Sequence, residues 1–317
     1  MGDYYDRPLT ASTAAVKRII KDEGPVTVSI ATKGDGTYTT DRGSGGKAHT
    51  TFYSDTKKTI DHTVLIVGWD DTFSKSNFSD LSQPHSDGAW LVRNSWGTSW
   101  GDDGYFWLSY EDAAAVYGVC YQLESAANYS NHYQFDTMGW RTSLSLATAG
   151  GQGDAASSSK SAFMANIFTA EGAEDLKAVS FYTTDEATSY EISVFRNPDA
   201  GNPTSGERIG SSQRGQEAYP GYHTVELESA LQANLNAGDT FSVVVELTNP
   251  VYGKVIPAEA AIGKGTGWQP EYLGKDSNGN AEVSYVSVDG ATWEPLGKHI
   301  SDSQGVDVYV SNVCLKT

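Results

Sequence analysis

Residues 12–21 carry apolar side chains at helical spacing, with Ser12 and Thr13 at their start, Lys17, Arg18 and Lys21 toward their end, and Gly24-Pro25 beyond. That pattern predicts a short amphipathic helix with a defined stop. Val26, Val28 and Ile30 then alternate with Thr27 and Ser29, the period of a half-buried strand. The run 64–69, Val-Leu-Ile-Val-Gly-Trp, has the length and β-branched content of a buried strand, and 89–92 reads as a second. His62 and Asn94 flank these two runs at opposite strand ends. Between the runs, residues 70–88 are polar and rich in Ser and Asp, which predicts an exposed loop within one barrel-like unit. Residues 33–48, rich in Gly and Thr, read as another loop.

From about residue 135 the pattern changes. Apolar or alternating runs at 162–168, 176–182, 190–195, 224–227, 241–247, 283–288 and 306–313 predict strands. Turn clusters such as Asn197-Pro198-Asp199 and Asn278-Gly279-Asn280 separate them, so the second block reads as an all-β sandwich. The Gly/Ser/Ala-rich stretch 147–161 reads as a loop near its start. The expected fold class is mostly β (α+β), with one domain over 1–124 and a second over 125–317.

Charge removes several partner classes. A formal net charge of -18 repels nucleic-acid phosphates and anionic lipid surfaces, and no apolar run reaches the length of a bilayer span. Neither nucleic acid nor a membrane span is expected. Two cysteines, Cys120 and Cys314, are too few for a disulfide framework and fit no zinc spacing. They read as small buried thiols in strands, with one long-range bridge left open. Asp70, Asp71, Asp80 and Asp87 in the 70–88 loop are candidate calcium ligands, although they lack EF-hand spacing. No other cofactor is expected. His49 and His85, in polar loops, are assigned no role.

The chemistry concentrates at Asp61-His62 and Asn94-Ser95-Trp96-Gly97, followed by Trp100-Gly101 and Gly104-Tyr105. A positioned His and Asn belong to nucleophilic catalysis, in which a base activates a thiol and a third group orients the base. Together with Gly24-Pro25-Val26, Gly68-Trp69 and Tyr117-Gly118-Val119-Cys120, these motifs resemble, in order and content, the C-terminal half of a papain-family cysteine peptidase. The resemblance covers roughly the first 120 residues. It implies that His62 is the catalytic base that pairs with a thiolate, that Asn94 orients the imidazole, and that Trp96 shields their hydrogen bond from water. Asp61 is expected to support the site as a neighbouring contact or by lining the substrate cleft. Trp100, Gly101, Gly104 and Tyr105 are expected to be structural.

Two parts of the family pattern are not found. Nothing before His62 resembles the Gln-to-Cys-Trp segment that supplies the nucleophile and part of the oxyanion hole, and Cys120 matches a structural cysteine of the family. The chain alone is therefore expected to be inactive, with a cysteine-bearing N-terminal half supplied in cis or in trans. The implied substrate is a peptide or protein.

The second block resembles the lectin-like domain appended to papain-type peptidases of Gram-positive bacteria, through residues 167–172, 176–183 and 288–293. That likeness implies secretion or a cell-surface location, although Met1-Gly2-Asp3-Tyr4-Tyr5 has no features of a secretory leader. It also implies a cell-wall glycan as a partner, with Trp268 or Trp293 as a stacking surface. The alternative reading is a catalytically inactive cell-surface or glycan-binding module that keeps the peptidase barrel as scaffold. A barrel half without its partner is expected to expose apolar surface.

Overall fold

A computed structural model describes residues 13–32, 49–123, 125, 127–146, 159–264, 283–301 and 306–317. The chain divides into two compact units, Met1–Ser125 and Ala126–Thr317.

In the first unit, α1 (Thr13–Asp22) is followed by β1 (Val26–Ile30), β2 (Thr51–Phe52), β3 (His62–Asp70), β4 (Ala89–Arg93), β5 (Tyr105–Ser109) and β6 (Val116–Cys120). The helix stops where Glu23 and Gly24 both donate to the Ile19 carbonyl, with Gly24 at φ +126° ahead of Pro25. The strands form one sheet in the order β2-β5-β4-β3-β1-β6, antiparallel except for the β2–β5 pair. Alternation in β1 sends Val26, Val28 and Ile30 inward. Val28 and Ile30 join Val16 of the helix, Val64, Ile66, Trp90, Val92, Phe106 and Leu108 in one core.

The 70–88 segment differs from the expected exposed loop. Phe73 and Phe78 are buried with Tyr53 and Ala89, and Phe73 stacks on Trp107 at 4.4 Å. Two aromatic side chains thus nail a polar loop to the sheet, while Leu81 at its far side is 99% exposed.

In the second unit the strands are β7 (Thr142–Leu144), β8 (Ser161–Thr169), β9 (Glu174–Asp175), β10 (Ala178–Thr183), β11 (Thr188–Arg196) and β12 (Glu207–Glu217). They continue as β13 (Gly221–Glu226), β14 (Asn234–Leu235), β15 (Thr240–Thr248) and β16 (Ile256–Lys264). The last are β17 (Ser284–Ser287), β18 (Glu294–Pro295), β19 (Lys298–Ser301), β20 (Val306–Val313) and β21 (Leu315–Lys316). A six-stranded sheet, β12-β11-β15-β8-β17-β18, accompanies a four-stranded sheet, β19-β20-β16-β7, and a three-stranded one, β13-β10-β21. Phe168, Phe181, Ile192, Val194, Phe241, Val243 and Val245 dominate their common core. All seven expected strands are present within a few residues, and the chain is mostly β as expected.

The cysteines correct one expectation. Cys120 ends the edge strand β6 and is only half-buried, whereas Cys314 is buried but lies in the bend between β20 and β21. Both are free thiols, so the long-range bridge is not formed.

Candidate active site

Antiparallel pairing of β3 with β4 aligns Leu65 with Arg93, so the residue that begins β3 and the residue that follows β4 meet on one edge. Those residues are His62 and Asn94. The Asn94 N–H is held by the Gly104 carbonyl at 2.9 Å, which closes the loop between them. Glycine is required in that loop. Gly101 sits at φ +60°, where a Cβ would lie 2.5 Å from the Tyr105 carbonyl oxygen.

His62 Nε2 is 3.0 Å from Asn94 Oδ1, and the Ser95 N–H donates to the same oxygen at 2.7 Å. An amide oxygen only accepts, so in the neutral imidazole the proton sits on Nε2 and the lone pair on Nδ1. That leaves Nδ1 as the basic atom. Asn94 is 7% exposed, and its buried Nδ2 has no hydrogen-bond partner among the described residues.

Trp96 lies flat on the His62 ring, with centroids 5.0 Å apart and planes at 16°. Trp100 meets Trp96 edge-on at 4.8 Å and Phe106 at 5.8 Å, linking the outer indole to a fully buried ring. Trp100 is therefore a structural support for the stack, and Trp96 itself remains 45% exposed.

Asp61 has a definite local task. Its Oδ1 accepts from the Thr32 N–H at 2.7 Å and the Thr32 hydroxyl at 2.9 Å, while its own N–H donates to the Ile30 carbonyl. It brackets the end of β1 against the start of β3, next to the base.

Sequence patterns missed a second clamp. Asp102 accepts from the Thr50 N–H and hydroxyl, and its Oδ2 lies 3.2 Å from His49 Nδ1. The His49 ring packs near Phe73 and Trp107. This ties the Trp100 loop to β2, and the paired acids of Gly101-Asp102-Asp103-Gly104 were the only local hint.

Neither thiol of the chain meets the base. Cys120 pairs with Val26, whereas His62 pairs with Ile30, four residues along the same strand and about 13 Å away at some 3.3 Å per residue. Burial pushes the Cys120 thiol up, and Glu23 adds to it, the reverse of what a nucleophilic cysteine needs. Cys314 is fully buried in the other unit, where burial and then Asp136 hold it well above the ordinary thiol range.

The candidate calcium ligands are not brought together. Asp70 accepts from Thr72, Asp71 from Lys17 and Tyr110, and Asp87 from the Lys75 N–H. Among the described residues no three His, Cys, Asp or Glu side chains are grouped to hold a metal. Trp293 is half-buried, donates to the Thr204 hydroxyl at 3.1 Å and meets Phe163 edge-on, so its ring is built into the sandwich; Trp268 lies outside the described residues.

Known proteins match both units. Residues 2–146 match the papain family cysteine protease family, and residues 132–317 match the lectin like domain family. Cysteine proteinase 3 of Entamoeba histolytica is 35% identical over 106 residues, covering 32% of this chain and 28% of that protein. Cathepsin F of Drosophila melanogaster is 31% identical over 104 residues, covering 32% of this chain and 15% of that protein. These matches span less than a third of the curated relatives' length.

Among solved structures, the clostridial cysteine protease Cwp84 after propeptide cleavage aligns with a TM-score of 0.68 at 23% identity, covering 98% of this chain and 68% of that one. A structure of the cysteine protease and lectin-like domains of Cwp84, a surface layer associated protein of Clostridium difficile, aligns at 0.65, covering 98% and 61%. At that identity the likeness establishes a shared fold. The chain belongs to the papain-family cysteine proteases that carry a lectin-like domain.

Proposed function

We propose that this chain is the His/Asn-bearing part of a bacterial Cys-His-Asn endopeptidase whose nucleophile comes from outside residues 1–317. The observation that carries this reading is the 3.0 Å contact between His62 Nε2 and Asn94 Oδ1, which leaves Nδ1 as the lone-pair nitrogen. A thiol presented to Nδ1 gives up its proton, and the resulting imidazolium stabilises the thiolate. The thiolate attacks the scissile carbonyl, and His62 then protonates the departing amine. Hydrolysis of the thioester returns the proton to the imidazole.

Asn94 holds the ring in this tautomer without adding charge, and Trp96 excludes water from their bond. A nucleophilic role for Cys120 is not needed, because its strand position and its raised thiol both argue against it. The oxyanion donors belong to the same external segment as the thiol. The substrate is a peptide or protein, and the place of action is the cell surface or beyond, as the surface-layer association of Cwp84 supports.

Mixing or fusing the chain with a cysteine-bearing N-terminal half tests the proposal. Cleavage of a peptide that is blocked by a thiol reagent, and that falls by at least about a hundredfold in His62→Ala, is the expected result. Activity that persists in His62→Ala would overturn it.

A further inference from the structure

Two segments of the second unit that are far apart in sequence run side by side against its core. Tyr133 and Thr317 exchange backbone hydrogen bonds at 2.7 and 3.0 Å, and β21 also pairs with β10, where Ser180 lies opposite Lys316. Phe135 anchors the first segment by stacking on the buried Phe168 ring at 5.0 Å. This alignment brings Asp136 and Lys316, 180 positions apart, into direct contact. Lys316 Nζ donates to Asp136 Oδ2 and, at 3.4 Å, to the Asp136 backbone carbonyl. Both side chains are withdrawn from water, that of Lys316 to 9% exposure and that of Asp136 to 0%.

Burial disfavours an ammonium beside a carboxylate and favours the neutral form of the same pair, an amine beside a carboxylic acid. The surroundings push the same way. Asp136 Oδ1 is buried with no hydrogen-bond partner among the described residues, so half of the group lacks the donors that an anion needs. Glu259 nearby has them: the Thr137 and Ser311 hydroxyls, the Met138 N–H and Asn312 Nδ2 all donate to it, at 2.8 to 3.2 Å. Its charge opposes a second one at Asp136. Burial raises the Asp136 carboxyl, Lys316 pulls it down, and Glu259 adds to the rise. A desolvated amine is a nucleophile, and a protonated carboxyl held against it is an electrophile already in place.

We infer that Lys316 and Asp136 condense into an isopeptide bond that cross-links the segment before β7 to β21. The ammonium first passes a proton to the carboxylate. The Nζ lone pair then attacks Asp136 Cγ, forming the C–N bond while the C=O π pair moves onto oxygen. A proton passes from nitrogen to one of the two hydroxyls, the C–O bond breaks with its electron pair going to the departing oxygen, and the carbonyl re-forms. One ammonium and one carboxylate give one amide and one water, so no oxidant, reductant or cofactor takes part. The amide N–H has an acceptor ready in the Asp136 backbone carbonyl. The product replaces two buried charges by one neutral group and does not depend on the peptidase reading.

The test is intact-mass spectrometry of the full chain, incubated at neutral pH until its mass is constant and then unfolded in acid. The parent is expected to be lighter than its sequence by one water, and tandem spectra of a digest to show a branched peptide joining the Asp136 and Lys316 segments. Neither readout depends on a variant folding. Lys316→Arg keeps a cation but has no amine to condense, so it is expected at full mass. In a denaturing gel the parent, with its loop still closed, is expected to run ahead of Lys316→Arg. A folded parent at full mass, a water loss that maps to a single unbranched peptide, or the same water loss in Lys316→Arg would overturn the assignment.

Discussion

Trp96 stacks on His62 at 5.0 Å, covering the imidazole on the side where water would compete for Asn94. The bond it shields is worth about 1 kcal/mol, a factor of roughly five. In the reassembled enzyme, Trp96→Ala is expected to lower kcat by about that factor with KM nearly unchanged, and Trp96→Phe to retain most of the rate. A change confined to KM would place Trp96 in substrate binding instead.

Asp61 is expected to act on stability more than on chemistry. Its two hydrogen bonds to Thr32 are partly exposed, so Asp61→Ala should cost about 1 kcal/mol in a denaturant titration. The turnover of molecules that remain folded should change little. A loss of kcat without a loss of stability would instead give Asp61 a direct part in the reaction.

Asp112 gives the first unit a distinct pH response. Burial raises its carboxyl to about 6, although N–H groups of Ser54, Ala114 and Ala115 pull it down. The folded state therefore holds this proton more tightly than the unfolded chain does. Its stabilising effect is complete below the ordinary value of 3.8 and is lost as pH rises through about 6. Asp112→Asn keeps an acceptor for the same N–H groups but has no proton to lose. Relative to the variant, the parent protein should lose on the order of 2 kcal/mol between pH 4 and pH 7. Parallel stability curves for the two would contradict this.

Apolar side chains exposed in the first unit predict self-association. Val119 is 50% exposed, Tyr121 74% and Leu123 96%, close together along the chain at the end of the unit. Sedimentation of the chain is expected to depend on concentration, and Val119→Lys with Leu123→Lys to reduce that dependence. A monomer with a sharp, cooperative melt at all concentrations would count against it.

Much of this molecule was legible because its patterns are local. The 3.6-residue spacing before Gly24-Pro25 marked α1, and strict alternation marked β1. The strand β12, Glu-Arg-Ile-Gly-Ser-Ser-Gln-Arg-Gly-Gln-Glu, escaped notice because it is an edge strand with few apolar positions. Its Arg214 and Gln216, which pair with Glu191 and Ser189 of β11, escaped with it. The Ala-rich β16 carries too little hydrophobic contrast to read as a strand.

At the site, His62 and Asn94 stood out through their motifs. The Asp61–Thr32 and Asp102–His49 contacts did not, because they join residues 29 and 53 positions apart with no periodic signal between them. Phe73 and Phe78 were hidden by the polar residues around them. Their burial depends on the Tyr53 and Trp107 surfaces that only the folded sheet assembles.

The central claim is that His62 forms an ion pair with a thiol supplied from outside this chain. Ultraviolet titration of thiolate absorbance in the reassembled protein tests it most directly, with the parent compared with His62→Ala. In the parent the thiol should ionise well below the free-cysteine value of about 8.5, and in His62→Ala it should return close to that value. The same titration curve in both proteins would contradict the account.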